Sequence, residues 1–128
     1  MKYLLDTHII IWHGENNPAL KPAILSLLND PANELLVSHA SLFEMAIKIS
    51  TGKLQLGYPI SHLKTALAQN GFQLLPFDFP HYQVLSSLPF QHNDPFDRMI
   101  ISQALCENVE VITHDEKFKN YPISIVWA

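Results

Sequence analysis

The sequence contains one cysteine, Cys106, and only four glycines among its 128 residues. A single cysteine excludes an internal disulfide and a zinc site built from several cysteines. The few glycines form neither a GxxxxGK[ST] nor a GxGxxG phosphate loop, and no GxSxG elbow of a serine hydrolase occurs. No apolar run approaches the roughly 20 residues that span a bilayer. We therefore expect a soluble, cytoplasmic protein without a signal peptide.

Positive charge is also scarce, with 8 Lys and Arg against 12 Asp and Glu and a net charge of −4. This balance disfavours a module that holds nucleic acid by charge alone, because phosphate neutralisation requires Lys and Arg. The chain is 48% hydrophobic and 16% charged, which argues against disorder. Its length fits one domain, residues 1–128.

Short apolar strands alternate with segments of helical periodicity. The predicted strands cover residues 2–5, 34–38, 72–77, 109–113 and 123–127. The predicted helices cover residues 7–13, 18–29, 40–51, 60–70, 80–87 and 95–107. Pro18 is expected to open the second helix, and Gly52 to close the third in a left-handed conformation. This alternation predicts a mainly parallel sheet with helices on both faces, in which ligands bind at the carboxyl ends of the strands.

Four acidic residues fall at or near those strand ends. Asp6 directly follows the first strand, and Asp115 lies two residues beyond the strand that ends at Thr113. Glu44 and Asp97 lie early in the helices at 40–51 and 95–107. Unpaired carboxylates at one site repel one another, and a divalent cation reverses that effect. Oxygen ligands without nearby histidine or cysteine pairs favour Mg²⁺ or Mn²⁺ over Zn²⁺.

Each acid also has a structural interpretation as a helix cap. Asp6 and Asp115 are each followed by a segment that they could cap. Asp94 precedes Pro95, so that Asp94 is the expected N-cap of the helix at 95–107. Ser41 and Glu44 fit the spacing of a capping box.

The basic residues near these acids have two interpretations. Lys48 and Arg98 lie four residues after Glu44 and Asp94, a spacing that predicts ion pairs on a helix. Alternatively, Lys48, Arg98 and Lys53 contact substrate phosphates. None of the seven histidines forms an HExxH pair, although His8 and His92 lie near acidic positions; Cys106 is expected to be a packing residue.

Four segments, in this order, resemble the PIN-domain ribonucleases, specifically the VapC-like toxins of bacterial toxin–antitoxin pairs. These segments are Leu4-Leu5-Asp6-Thr7-His8 with Trp12, SLFEMAIK at 41–48 followed by Gly52-Lys53-Leu54, HNDPFDRMIISQA at 92–104, and Ile112-Thr113-His114-Asp115 before Phe118.

The resemblance assigns Asp6, Glu44 and Asp97 as metal-binding acids and Asp115 as the less uniform fourth. The assignment of Asp97 depends on the register of the motif; Asp94 is the neighbouring candidate and is interpreted as a cap and support because a cap side chain is committed to backbone donors. It implies a three-layer α/β/α fold with a five-stranded, mainly parallel sheet. It also implies a homodimer and a cognate antitoxin that blocks the active site, for which a basic residue beside the acids would be suitable.

These residues together predict an endoribonuclease that uses Mg²⁺ or Mn²⁺. A water whose pKa is lowered by the metal would attack phosphorus in line and leave a 5′-phosphate and a 3′-hydroxyl. Two alternatives remain open. One is a non-catalytic PIN-fold module that binds a basic partner peptide in its acidic cleft, and the other is a metal-dependent phosphatase that acts on small molecules.

Overall fold

A computed structural model describes all 128 residues and contains one five-stranded parallel sheet. The strands are β1 (Lys2–Leu5), β2 (Glu34–Ser38), β3 (Phe72–Leu75), β4 (Glu110–Thr113) and β5 (Ile125–Trp127). Their order across the sheet is β3-β2-β1-β4-β5, and every neighbouring pair is parallel. The predicted parallel sheet is therefore confirmed.

Six α-helices and two short 3-10 segments connect the strands. The helices are α1 (Thr7–Glu15), α2 (Pro22–Asn29), α3 (His39–Ser50), α4 (Leu63–Gln69), α5 (Phe79–Ser87) and α6 (Pro95–Glu107). The 3-10 segments cover Ile60–His62 and Glu116–Asn120. None of the helices combines the length and apolar character that crossing a membrane requires.

The core is divided by the sheet into two hydrophobic clusters. Tyr3 and Leu5 of β1 pack on one face with residues of α1, α2, α3 and α4. Leu4, which points to the other face, packs with Ile100 and Ile101 of α6. Successive side chains of a strand point to opposite faces, so β1 contributes to both clusters. This arrangement confirms the three-layer α/β/α fold.

Several element boundaries differ from the prediction by one to four residues, and two of these differences have a clear physical reason. The second helix begins at Pro22 instead of Pro18, because Asn17 starts a turn in which its side chain accepts a hydrogen bond from the Ala19 N–H at 2.9 Å and its carbonyl accepts from Leu20 N–H. Pro18 occupies the second position of that turn, where its fixed φ is favourable. The third strand ends at Leu75 because Pro76 has no N–H for the ladder.

The strand order changes direction beside β1. From β1 the chain proceeds to β2 and β3 on one side, and it later returns to place β4 on the other side. Leu5 is paired with Ile112 in the parallel register, so the carboxyl ends of β1 and β4 lie side by side. In open α/β sheets this switch point is where ligands bind.

Candidate active site

Asp6 lies at the end of β1, in the N-cap position of α1, and is 2% exposed. Its side chain does not cap that helix, which contradicts the capping interpretation. Instead, the hydroxyl of Thr113 at the end of β4 donates a hydrogen bond to Asp6 Oδ2 at 2.7 Å. Burial raises the pKa of Asp6, whereas the Thr113 hydrogen bond and the charges of His8 and His114 act to lower it. The carboxylate is thus fixed by the neighbouring strand.

Glu44 reaches the same edge from α3, which starts directly after β2. Ser38 is the N-cap of this helix, and its side chain accepts from Ala40 N–H at 2.9 Å. Ser41 therefore does not act as a cap; its hydroxyl accepts a hydrogen bond from the Thr7 hydroxyl at 2.9 Å, which ties α3 to α1. The capping-box interpretation of Ser41 and Glu44 was wrong, because Ser38 is the N-cap and Ser41 lies within the helix.

The side chain of Glu44 has one paired and one unpaired oxygen. Oε2 lies 3.1 Å from the Lys48 ammonium, so the ion pair predicted from their spacing is present. Oε1 is buried and has no hydrogen-bond partner. Burial of a carboxylate oxygen without a partner is energetically unfavourable, and a bound cation or a hydrogen-bond donor would remove this penalty.

The carboxylates of Asp97 and Asp115 both lie close to the ring of His92. The Nε2 atom of His92 lies 2.8 Å from Asp97 Oδ2 and 3.5 Å from Asp115 Oδ2. His92 is 6% exposed, and its Nδ1 accepts a hydrogen bond from Asp94 N–H at 3.2 Å. Because Nδ1 is an acceptor, the neutral ring carries its proton on Nε2, which faces the two carboxylates.

Asp94 and Asp115 also cap the segments that follow them. Asp94 Oδ1 accepts from the N–H groups of Phe96 and Asp97, which confirms Asp94 as the N-cap of α6. Asp115 Oδ1 accepts from Lys117 N–H at 2.9 Å. The other oxygen of Asp115 remains directed towards His92, so this residue combines a capping bond with a place in the acidic cluster.

The electrostatics of Asp97 show that the acids are gathered in one place. Its pKa is raised to about 8, first by burial and then by the negative charges of four neighbouring acids. Those charges belong to Asp6, Asp94, Glu44 and Asp115. Neighbouring carboxylates repel one another, and a bound divalent cation offsets that repulsion. Together with the free Glu44 oxygen, the oxygen donors fit Mg²⁺ or Mn²⁺.

The three basic candidates occupy different surroundings. Lys48 lies at the acidic cluster, whereas Lys53 is exposed in the turn after α3 and forms no ion pair. Arg98 does not pair with Asp94. Its guanidinium donates to the carbonyl oxygens of Leu88 and Pro89 at 3.2 and 3.0 Å, and it is 9% exposed. Because Asp94 is committed to helix N–H groups, Arg98 instead secures the segment before α6.

The sequence indicated that His8 and His92 lie near acidic positions, and the structure adds His114 to them. The structure places His8 and His114 beside Asp6, and His92 beside Asp97 and Asp115. The motifs at 92–97 and 112–115 contained His92 and His114, but only the pairing of β4 with β1 brings His114 to His8. Their proximity is a tertiary feature that has no signal in sequence spacing.

The sequence model of the PIN domain matches residues 3–123. A comparison with curated protein sequences gave no match. Among solved structures, the chain is similar to a crystal structure of VapBC2 from Rickettsia felis bound to a DNA fragment from its promoter. That similarity has a TM-score of 0.75 at 21% identity and covers 98% of each chain.

A second similar structure is VapBC-1 from nontypeable Haemophilus influenzae, with a TM-score of 0.68 and 25% identity over 99% of this chain and 98% of that one. DNA-bound VapBC from Salmonella typhimurium has a TM-score of 0.73 and 19% identity, covering 98% and 97% of the two chains. The family match extends over nearly the whole sequence, and the fold and acidic strand ends agree with it. The chain therefore belongs to the PIN-domain family.

Proposed function

We propose that this protein is a metal-dependent endoribonuclease toxin. The observation that carries the proposal is the gathering of five acidic side chains at the switch point of the sheet; burial first, and then the charges of the four neighbours, raise the pKa of Asp97 to about 8. Such a concentration of negative charge on buried and half-buried side chains is unfavourable without a cation. Membership of the PIN family supports a nuclease-type hydrolase, and the choice of RNA as substrate is part of the proposal.

The proposed metal-binding residues are Asp6, Glu44, Asp97 and Asp115. Thr113 holds one oxygen of Asp6, Lys48 holds one oxygen of Glu44, and His92 lies against Asp97 and Asp115. Asp6, Glu44 and Asp97 are therefore each oriented by a neighbour and retain an oxygen for a ligand. Asp115 has a neighbour at both oxygens, so its place in the metal site would require one of them to change partner. When bound, Mg²⁺ or Mn²⁺ would offset the negative charge and supply the Lewis acidity that activates water and the phosphate.

The cluster is also accessible to a substrate at its rim. The side chain of Asp115 is 30% exposed and that of Lys48 is 29% exposed, whereas those of Asp97 and Glu44 are 13% and 10% exposed. A phosphodiester entering from the rim would meet the Lys48 ammonium beside the acids. Attack by water would form a new O–P bond, break the bond between phosphorus and the 3′-oxygen, and leave a 5′-phosphate and a 3′-hydroxyl.

The proposal includes an antitoxin partner and a homodimer. The similar structures from Rickettsia felis and Haemophilus influenzae are of VapBC2 and VapBC-1, and another similar structure is a toxin–antitoxin complex from Klebsiella pneumoniae. In this chain, Lys48 is the one Lys or Arg ion-paired with the acidic cluster. A basic side chain from an antitoxin would find complementary charge there and would exclude the substrate.

The test is cleavage of a mixed pool of transfer and messenger RNA by purified, antitoxin-free protein with Mg²⁺ or Mn²⁺. Glu44→Gln is compared with Glu34→Gln, because Glu34 lies at the opposite end of β2 and pairs only with Lys2 at 3.5 Å. We expect cleavage that stops with a chelator, resumes when metal is returned, and is lost in Glu44→Gln but kept in Glu34→Gln.

Cleavage that survives both the chelator and Glu44→Gln would show a contaminating ribonuclease. Folded, metal-loaded protein that cuts no RNA would contradict the proposal and favour a partner-binding module. Hydrolysis of small phosphoesters without any cleavage of polynucleotides would instead favour a phosphatase.

A further inference from the structure

Two histidines lie beside Asp6 with unengaged ring nitrogens. His8 is the second residue of α1 and His114 directly follows β4; both are exposed, and their ring centroids are 5.3 Å apart. No hydrogen bond or ion pair within the protein involves a nitrogen of either ring. Each ring therefore retains a lone pair for an external ligand.

The two buried histidines beside carboxylates differ in this respect. In His81 and in His92, Nδ1 accepts a backbone N–H, from Asp78 at 2.9 Å and from Asp94 at 3.2 Å respectively. The proton of each neutral ring is consequently on Nε2, which faces a carboxylate. Neither ring presents a free lone pair to a cation, so their proximity to acids does not make them metal ligands.

His8 and His114 form a ligand set with Asp6. One potential ligand atom from each of the three residues lies within 4.8 Å of the other two. Two imidazoles and one carboxylate suit borderline cations such as Zn²⁺, Ni²⁺ and Co²⁺, whereas the purely carboxylate side of the cluster suits Mg²⁺ and Mn²⁺. Asp6 is 2% exposed, and its charge is also close enough to Asp97 to act on it, so this carboxylate adjoins both ligand sets.

We propose that His8, His114 and Asp6 form a second metal site, selective for a borderline divalent cation such as Zn²⁺ or Ni²⁺. Because this site uses Asp6, its occupation competes with the magnesium site and lowers nuclease activity. The binding part of the inference is independent of the proposed function, and only the inhibition rests on it.

A tryptophan next to the site provides a direct measurement of binding. The ring centroid of Trp12 lies 4.5 Å from that of His114 and 6.2 Å from that of His8. The chain has two tryptophans, so a Trp127→Phe background leaves Trp12 as the only indole. Paramagnetic Ni²⁺ bound at the two histidines should quench its fluorescence, and calorimetry with Zn²⁺ should give the stoichiometry.

We expect saturable quenching with one equivalent of Ni²⁺, and a loss of affinity of more than about tenfold in both His8→Asn and His114→Asn. His62→Asn is the matched control, because His62 is exposed in the 3-10 segment Ile60–His62. Glu44→Gln should retain the Ni²⁺ affinity while losing cleavage. Thermal melting shows whether each variant is folded.

Equal Ni²⁺ affinity in the wild type, His8→Asn and His114→Asn would overturn the site. A loss of affinity in Glu44→Gln would also overturn it, because the cation would then occupy the carboxylate cluster. In the cleavage assay, Zn²⁺ added to saturating Mg²⁺ should inhibit the wild type more strongly than His8→Asn. If the protein cuts no RNA, the proposed function fails, whereas the Ni²⁺ titration still decides the metal site.

Discussion

His81 and His92 are held alike at Nδ1 but lie in different surroundings. Each accepts a backbone N–H at Nδ1. The Nε2 atom of His81 is hydrogen-bonded to Glu107 at 3.0 Å, whereas that of His92 lies 2.8 Å from Asp97 without a hydrogen bond. The side chain of Glu107 is 40% exposed. Asp97, by contrast, is surrounded by four other acids. A buried histidine–carboxylate pair is therefore no sign of function by itself; the accumulation of like charge around it is.

The largest difference in cleavage rate should appear when the carboxylate partner of His92 is removed and the result is compared with removal of the carboxylate partner of His81. Asp97→Asn should lower metal-dependent RNA cleavage by more than about 100-fold, because even residues that only orient metal ligands are worth 10–100-fold. Glu107→Gln makes the matching change at His81 and should leave the cleavage rate unaltered. A similar loss in both variants, measured as initial rates under saturating Mg²⁺, would mean that the two clusters are functionally equivalent.

The second effect concerns stability and pH in metal-free protein. The pKa of Asp97 rises from the ordinary value of 3.8 to about 8 on folding, so the native state binds this proton more tightly than the unfolded state. Its contribution to stability is fully present below about pH 4 and is lost as pH rises to about 8. Urea unfolding with a chelator should show this decline in the wild type.

Asp97→Asn should show a smaller decline in stability over the same pH window, and Glu107→Gln should behave like the wild type. Saturating Mg²⁺ should flatten the wild-type profile, because the cation stabilises the ionised carboxylates. Parallel pH profiles for the wild type and Asp97→Asn would show that Asp97 does not titrate in this range.

The third comparison exchanges the histidines themselves. His92→Gln should reduce cleavage about 10–100-fold by releasing Asp97 and Asp115. His81→Gln should instead cost about 1–3 kcal/mol of stability, because it leaves the Asp78 N–H and a carboxylate oxygen of Glu107 without their buried partner. Cleavage rates and melting temperatures of both variants separate the two roles. A large activity loss in His81→Gln, with normal stability, would reject this division.

The smallest effect distinguishes the two interpretations of Lys48. If it contacts a phosphate, Lys48→Gln should raise the KM for RNA severalfold and reduce the salt dependence of binding by about one charge. Lys2→Gln serves as the control, because Lys2 lies at the amino end of β1. An unchanged KM and salt slope in Lys48→Gln would leave Lys48 as a partner of Glu44 only.

The parts of the fold that local chemistry determines were predicted well. The helix at 95–107 has the predicted bounds, because Asp94 and Pro95 are a strong start signal. Gly52 has a φ of +76°, as expected for a left-handed residue after a helix. The start of α2 was missed because Asn17 offers its own hydrogen bonds to a turn, and Pro18 suits that turn as well as a helix.

The site was predicted less completely than the fold. The four acids were predicted from their positions at or near the strand ends, and the structure places the other three around Asp97. The partners of those acids depend on tertiary contacts. Thr113 reaches Asp6 from a separation of 107 residues, and Arg98 turns to the Leu88 and Pro89 carbonyls instead of to Asp94. Spacing along one helix could not reveal either contact.

The insertion of β4 beside β1 also determines when the molecule acquires its chemistry. Asp6 is synthesised 107 residues before Thr113, whose hydroxyl holds it, and Thr113 ends the strand that pairs directly with β1. Pairings between distant segments form late because loop closure opposes them. A nascent or partly folded chain thus has separate acids without an assembled centre. The acidic cluster is therefore complete only once β4 has docked on β1.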